Sequence, residues 1–423
     1  MQHIGLVLFM SILLCGCAAA PELRVGILGD VQGYAGNEDR GMKNLETAFN
    51  LLREKNVDVI MMTGDLSDNG NAAVYHQYRD LYDRIFADRT PIQVAVMGNH
   101  DYWNDLPVET SRKNFSEALG QSSPDIQMVV NDYSFIALSP EDGVTPGTYT
   151  EKSADFLTAN LSYAETASPD KPIFLLTHQH PADTVYGSTD WGNKFITDFL
   201  DSHPRVIAFS GHSHYPLEDE RSIAQHRFTA VGASSLNYCE MESGKVNGSV
   251  PPNAADCVQF LYMEVFKDHI DIHRYDVKTG GEIKPDNVWR IDLPLNPAKF
   301  THTARRADSR TAPEFPASAA GEVRENDDGR LILSFDAAGH EDFVHSYNVE
   351  IFEKLNDGKF HKLKNLDYFS DFYRGLDRMS GHPEFILPEK LFVSGSEYLL
   401  KILPVESFGK RGTIPLVVRF TAG

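Results

Sequence analysis

The chain has 423 residues, with 60 acidic against 39 basic side chains and a formal net charge of −21. That length predicts two globular units, and a composition of 42% hydrophobic and 23% charged residues excludes a disordered chain. The acidic field argues against nucleic acid and anionic lipid as partners, so a phosphate-bearing substrate needs a local source of positive charge, most simply bound metal ions.

In chain order, residues 1–20 read as a signal segment. Ile4 to Leu14 is an apolar run too short to cross a bilayer, and small residues follow it. Leu14-Cys15-Gly16-Cys17 resembles the bacterial lipobox, whose last cysteine is lipidated after cleavage, although the segment before the apolar run has no Lys or Arg. One outcome is an anchor on Cys17, with membrane contact through that anchor alone. The other is plain secretion after cleavage near Ala18–Ala20. Either places the mature chain in the cell envelope or outside the cell. Cys239 and Cys257 are then left as a disulfide or as two free thiols.

Short apolar runs alternate with amphipathic stretches from residue 21 to 293. Leu23–Leu28, Asp58–Met62, Ile92–Val96, Ile173–Leu176 and Val206–Phe209 read as buried strands. Lys43–Lys55, Ala72–Phe86 and Trp191–Leu200 carry helical spacing, and Val258–Val265 with His269–Tyr275 reads as a hairpin. The expected class is α/β (α+β), with central sheets covered by helices. Residues 294–324 read as a linker, with Arg305-Arg306 as a solvated pair. Residues 325–423 are strand-like runs separated by turn signals, an all-β sandwich whose end resembles a fibronectin type III module.

Chemistry gathers just past the carboxyl ends of the five buried strands. There stand Asp30 and Gln32; Gly64, Asp65 and Asp68; Gly98, Asn99, His100 and Asp101; His178 and His180; and Gly211, His212 and His214. Ligands in α/β sheets collect outside such strand ends. The set offers oxygen and imidazole without thiolate, which suits Mn, Fe or Zn. Any one of these loops occurs by chance, but five in order do not. Tyr34, Trp103, Trp191 and Tyr215 lie near these loops as pocket walls or as ordinary packing, while His226, His269 and His273 fall in strand-like runs and read as structural.

The series resembles the calcineurin-like metallophosphoesterase superfamily, whose motifs run D-x-H, G-D-x-x-D-x-G, G-N-H-[DE], H and G-H-x-H. Gly64 to Gly70, Gly98 to Asp101 and Gly211 to His214 meet three of these in full. The resemblance implies two divalent transition-metal ions bridged by Asp65. Asp30, Gln32 and His214 would hold one, and Asn99, His178 and His212 the other. His100 would be the acid for the leaving oxygen, oriented by Asp101, with Asp68 as support behind the ligands. Gln32 stands where the family usually has His, which biases the preference toward Mn²⁺. The resemblance further implies attack by a metal-bridging hydroxide on a phosphodiester or nucleotide-diphosphate linkage in a small-molecule, glycan or lipid substrate. A phosphomonoester, or surface binding over a catalytically weak metal domain, is the alternative.

Overall fold

The computed structural model describes residues 19–36 and 39–423; Cys15, Cys17 and most of the expected signal segment lie outside them. One sheet runs in the order Glu282–Ile283, His269–Asp276, Gln259–Val265, Leu23–Leu28, Val59–Met62 and Ile92–Ala95, and Trp289–Asp292 also pairs with His269–Asp276. A second sheet runs Ile223–Gln225, Thr229–Gly232, Val206–Ser210, Ile173–Leu176, Tyr133–Ala137 and Ile126–Val130. Leu23–Leu28, Val59–Met62 and Ile92–Ala95 are mutually parallel, as are Thr229–Gly232, Val206–Ser210, Ile173–Leu176 and Tyr133–Ala137.

These inner strands read as unbroken apolar runs because both of their faces are covered. Alternate residues such as Val25, Ile27, Phe174 and Phe209 fill one core between the sheets. The residues between them meet helices. Leu28, Ile60 and Met62 pack on Arg40–Glu54 and Ala72–Ile85 through Leu45, Phe49 and Tyr78. Leu175 and Ala208 pack on Glu151–Ala167 and Lys194–Leu200 through Leu157, Leu161 and Ile196. The result is a helix-covered double sheet. Side chains of Asp39, Asn71 and Thr150 cap the starts of three of these helices.

The carboxyl-terminal region is a separate all-β unit. Gly321–Glu325, Leu331–Phe335 and Glu384–Ile386 form one antiparallel sheet, and Phe360–Phe369, Ser346–Lys354, Glu397–Val405 and Leu416–Thr421 form another. Leu333, Phe335, Val349, Ile351, Leu400 and Val418 make its core. Because Gly321–Glu325 pairs with Leu331–Phe335, this unit begins at Gly321, inside the expected linker 294–324.

The linker is also not a free tether. Gln225 takes hydrogen bonds from the backbone of Thr301 and His302 at 3.1 and 3.0 Å. Arg306, expected to be solvated, donates to the carbonyls of Glu220 and Ile223 at 2.8 and 2.6 Å. Its guanidinium closes a polar edge that would otherwise be left unpaired.

The two units share an apolar seam of Cys239, Met241 and Cys257 against Phe343, Phe369 and Phe372. Tyr373 donates to the carbonyl of Pro252 at 2.7 Å, and Arg374 pairs with Asp256 at 3.3 Å. Of the two states open to the cysteines, the structure holds free thiols, both buried in this seam. Burial pushes the Cys257 thiol well up from its ordinary value, and the neighbouring Cys239 adds to the rise. Among the described residues no helix is long and apolar enough to cross a membrane.

Candidate metal centre

The loops that follow the parallel strands are cross-linked before any side chain is considered. Asp30 donates its backbone N–H to Gly64 at 3.0 Å, Gln32 to Asp65 at 2.8 Å and Gly211 to His178 at 3.1 Å. Asp30, Gln32, Asp65, His212 and His214 have φ of 53°, 45°, 50°, 69° and 58°. Left-handed backbone at non-glycine residues costs about 1 kcal/mol or more each and persists only where the surroundings enforce it. Its concentration on five expected ligands marks this edge as a functional site.

Two glycines make room for the ligands. A β-carbon on Gly98 would fall 2.1 Å from Asp65 Oδ1, and one on Gly211 would fall 2.2 Å from Asp30 Oδ2. Here the need is space for the carboxylates.

The side chains converge on Asp65. Its Oδ2 lies 3.3 Å from His178 Nε2, which is 3.0 Å from Asn99 Oδ1 and 3.1 Å from His212 Nδ1. His178 Nδ1 donates to the Thr63 carbonyl at 2.9 Å, which in the neutral ring leaves Nε2 as a lone pair facing the other donors. Asp65, His178 and His212 offer ligand atoms all within 4.8 Å of one another. Beside them, His214 Nε2 lies 3.1 Å from Asp30 Oδ1, and the Asp30 carboxylate accepts the His212 backbone N–H at 3.0 Å. So many lone pairs crowded into one buried site call for a compensating positive charge, a proton or a cation.

The titration behaviour agrees. Burial opposes charge on Asp65, yet the His178 ring, with His100 and His212, holds its carboxyl far below the ordinary range. Burial also opposes charge on His178, but Asp65 and Asp30 push it up to about 9. His212 is driven the other way by burial and by its neighbour His178. A carboxylate, an amide oxygen and two imidazoles on one side, with a carboxylate and an imidazole on the other, fit hard-to-borderline divalent ions.

His100 sits at the rim of this cluster. Its Nδ1 donates to the Asp68 carbonyl at 3.0 Å and lies 3.2 Å from Asp68 Oδ1. The expected partner, Asp101, does not touch it. The Asp101 carboxylate instead takes backbone N–H groups from Ser67 and Gly98 at 3.0 and 2.9 Å, and the Tyr75 hydroxyl at 3.0 Å. Adjacent residues of the short 3₁₀ turn His100–Tyr102 thus take different partners, so Asp101 braces the Ser67 and Gly98 loops and Asp68 orients His100. The Gln32 amide nitrogen stands 3.3 Å from His100 Nε2, which ties the substituted position to the same histidine.

Other residues find simpler roles. His180 is buried between the hydroxyls of Ser210 and Ser213 at 2.6 and 2.7 Å and braces the ligand loops. Tyr215 is buried against Tyr186. Trp191 meets His212 edge-on at 5.3 Å, while Tyr34 and Trp103 stay exposed. Sequence reading missed a sixth loop. After Thr229–Gly232, Ser235 donates to the Asp30 carbonyl at 3.0 Å, Asn237 to that of Val31 at 3.3 Å, and Tyr238 packs on His214 at 4.6 Å. Its signal was there: a β-rich apolar run followed by Ser234-Ser235-Leu236-Asn237, the same pattern as at the other strand ends.

The chain is similar in part to known proteins. The model of the Calcineurin-like phosphoesterase family matches residues 23–216. A protein of Ruthia magnifica named probable cyclic nucleotide phosphodiesterase is 27% identical over 193 residues, covering 42% of this chain and 71% of the relative. A Synechococcus protein of the same description is 24% identical over 229 residues, covering 52% and 83%. The solved structure of a purple acid phosphatase from yellow lupin aligns with a TM-score of 0.44 at 12% identity, over 64% of this chain and 55% of that one. Residues 23–216 are thus a calcineurin-like phosphoesterase domain, and the chain that carries them is a metal-dependent phosphoesterase.

Proposed function

We propose that the chain hydrolyses a phosphodiester or nucleotide-diphosphate linkage, outside the cytoplasm, at two divalent ions. Asp65, Asn99, His178 and His212 would hold one ion, and Asp30, Gln32, Asp65 and His214 the other, with Mn²⁺ favoured by the oxygen-rich second set. The observation that carries this reading is the cluster of Asp65, Asn99, His178 and His212 side chains, with ligand atoms 3.0 to 3.3 Å from His178 Nε2 and enclosed by strained loops. Bound there, the ions supply Lewis acidity toward a phosphoryl oxygen and a hydroxide at neutral pH.

The chain's own residues do the rest. His100, fixed by Asp68, carries a proton on Nε2 toward the leaving oxygen. The Gln32 amide nitrogen, 3.3 Å from the same atom, donates to it only in the unprotonated ring, so that contact is released when Nε2 takes up its proton. The names of the relatives support a diester substrate. The apolar amino-terminal run supports export, either as a Cys17-anchored lipoprotein of the cell envelope or as a secreted protein. A three-plus-four arrangement of antiparallel strands supports a fibronectin type III-like module from Gly321 onward.

Purified protein supplied with Mn²⁺ is expected to cleave bis-p-nitrophenyl phosphate, and Asp65→Ala or Asn99→Ala to lose both activity and bound metal. Metal-loaded wild type as inert as Asp65→Ala across a panel of phosphoesters ends this reading.

A further inference from the structure

We propose that Tyr34 and Trp103 form an aromatic rim that stacks a planar ring, of nucleobase size, carried by the leaving group of the substrate. This rests on the phosphodiesterase reading above and narrows it to a substrate class.

The two side chains are 53% and 48% exposed. Neither is loose. The Tyr34 hydroxyl donates to the Asp68 carboxylate, and its backbone N–H to Asp39 at 2.8 Å. Trp103 donates its indole N–H to the Gly143 carbonyl at 2.9 Å. Each ring therefore has its polar end satisfied and its orientation fixed, while much of its surface remains bare. Leaving large apolar surface in water is unfavourable, and fixing it there is what a stacking platform requires.

Each ring meets one member of the Asp68–His100 pair. Tyr34 reaches Asp68, whose carboxylate lies 3.2 Å from His100. Trp103 packs on the His100 ring itself, with centroids 3.9 Å apart. Since His100 passes its proton to the leaving oxygen, whatever hangs on that oxygen lies next to these rings. The neighbours Asp68, Asn69 and Asn104 are polar, which suits a heterocycle with hydrogen-bonding edges and does not suit an acyl chain. A neutral base is also indifferent to the chain's net charge of −21.

Calorimetry on the Mn²⁺-loaded protein tests this with adenosine monophosphate against ribose 5-phosphate, which share the phosphate and differ by the base. Wild type is expected to bind the base-bearing ligand about tenfold more tightly, as one stacked base warrants. Trp103→Ala is expected to bring the ratio close to one, and Tyr34→Phe, which keeps the ring, to retain most of it. Equal binding of the two ligands by wild type, or a ratio unmoved in Trp103→Ala, overturns the proposal. Cleavage of bis-p-nitrophenyl phosphate by the same samples separates the two readings. An active enzyme without base preference loses only the rim, whereas an inert protein with a Trp103-dependent preference loses only the hydrolase.

Discussion

The Tyr186 hydroxyl of the metal-binding domain and His345 Nε2 of the all-β unit lie 2.9 Å apart, in a hydrogen bond that spans the two units. Tyr186 also donates to Glu242 and packs edge-on against Tyr215, the residue after the proposed ligand His214. The carboxyl-terminal unit is thereby built into the wall behind the metal centre.

Ending the chain near residue 300 is therefore expected to give an insoluble product, because Cys239, Met241 and Cys257 lose their apolar cover. The milder His345→Ala is expected to cost about 1–3 kcal/mol by leaving buried polar groups short of a partner. Thermal unfolding reads the second, and the soluble yield of the truncation reads the first.

Acid should loosen the same seam. Burial, then the nearby Arg221 and Lys245, hold His345 down to about 4, against the opposing pull of Glu242 and Asp219. Unfolded, the ring titrates near 6.5. Between those values the unfolded chain binds more protons, so stability falls as pH falls through that window, by up to about 3 kcal/mol from this residue once pH is below 4. His302, also held to about 4 chiefly by burial, acts with the same sign. Urea midpoints at pH 7 and 4.5 measure the total, and His345→Gln is expected to show the smaller difference.

Gly98→Ala tests whether the room for Asp65 matters. The new methyl group would sit 2.1 Å from Asp65 Oδ1 and 2.7 Å from the Asp65 backbone nitrogen, and the strand-end loop has little freedom to yield. Metal content, measured on protein with an unchanged circular dichroism spectrum, is expected to drop well below that of wild type.

Asp68→Asn should reveal the role of His100 through the leaving group. Without the carboxylate the ring keeps only the Asp68 carbonyl and is less firmly held. An alkyl phosphodiester, whose leaving oxygen needs the proton, is expected to lose roughly a hundredfold in kcat. Bis-p-nitrophenyl phosphate, which expels a stable anion, should lose far less. Equal losses on both substrates would remove His100 from the acid role.

The sequence made the residues gathered around Asp65 legible because each follows an apolar run that has to end at a sheet edge, as with Val59–Met62 before Asp65 and Val206–Ser210 before His212. Pairings across the site were less legible. Asp101 adjoins His100 in the chain, and only the turn geometry shows that Asp68, thirty-two positions away, holds the ring. Docking was hidden for a different reason. Arg306 and His345 are residue types usually found in water, and what buries them comes from segments far off in the sequence, Glu220 to Ile223 and Tyr186. The left-handed ligands carried no mark either, since Asp, Gln and His mostly adopt ordinary dihedrals elsewhere.

That last feature limits how portable the centre is. A synthetic peptide spanning Phe209 to Tyr215 would lack the clasp between Gly211 and His178 and the grip of Asp30 on the His212 amide, and its two histidines would relax to common backbone shapes. Ion capture thus belongs to the assembled framework and not to any stretch of chain, so transplanting the cage into another scaffold means transplanting the sheet edges that bend it.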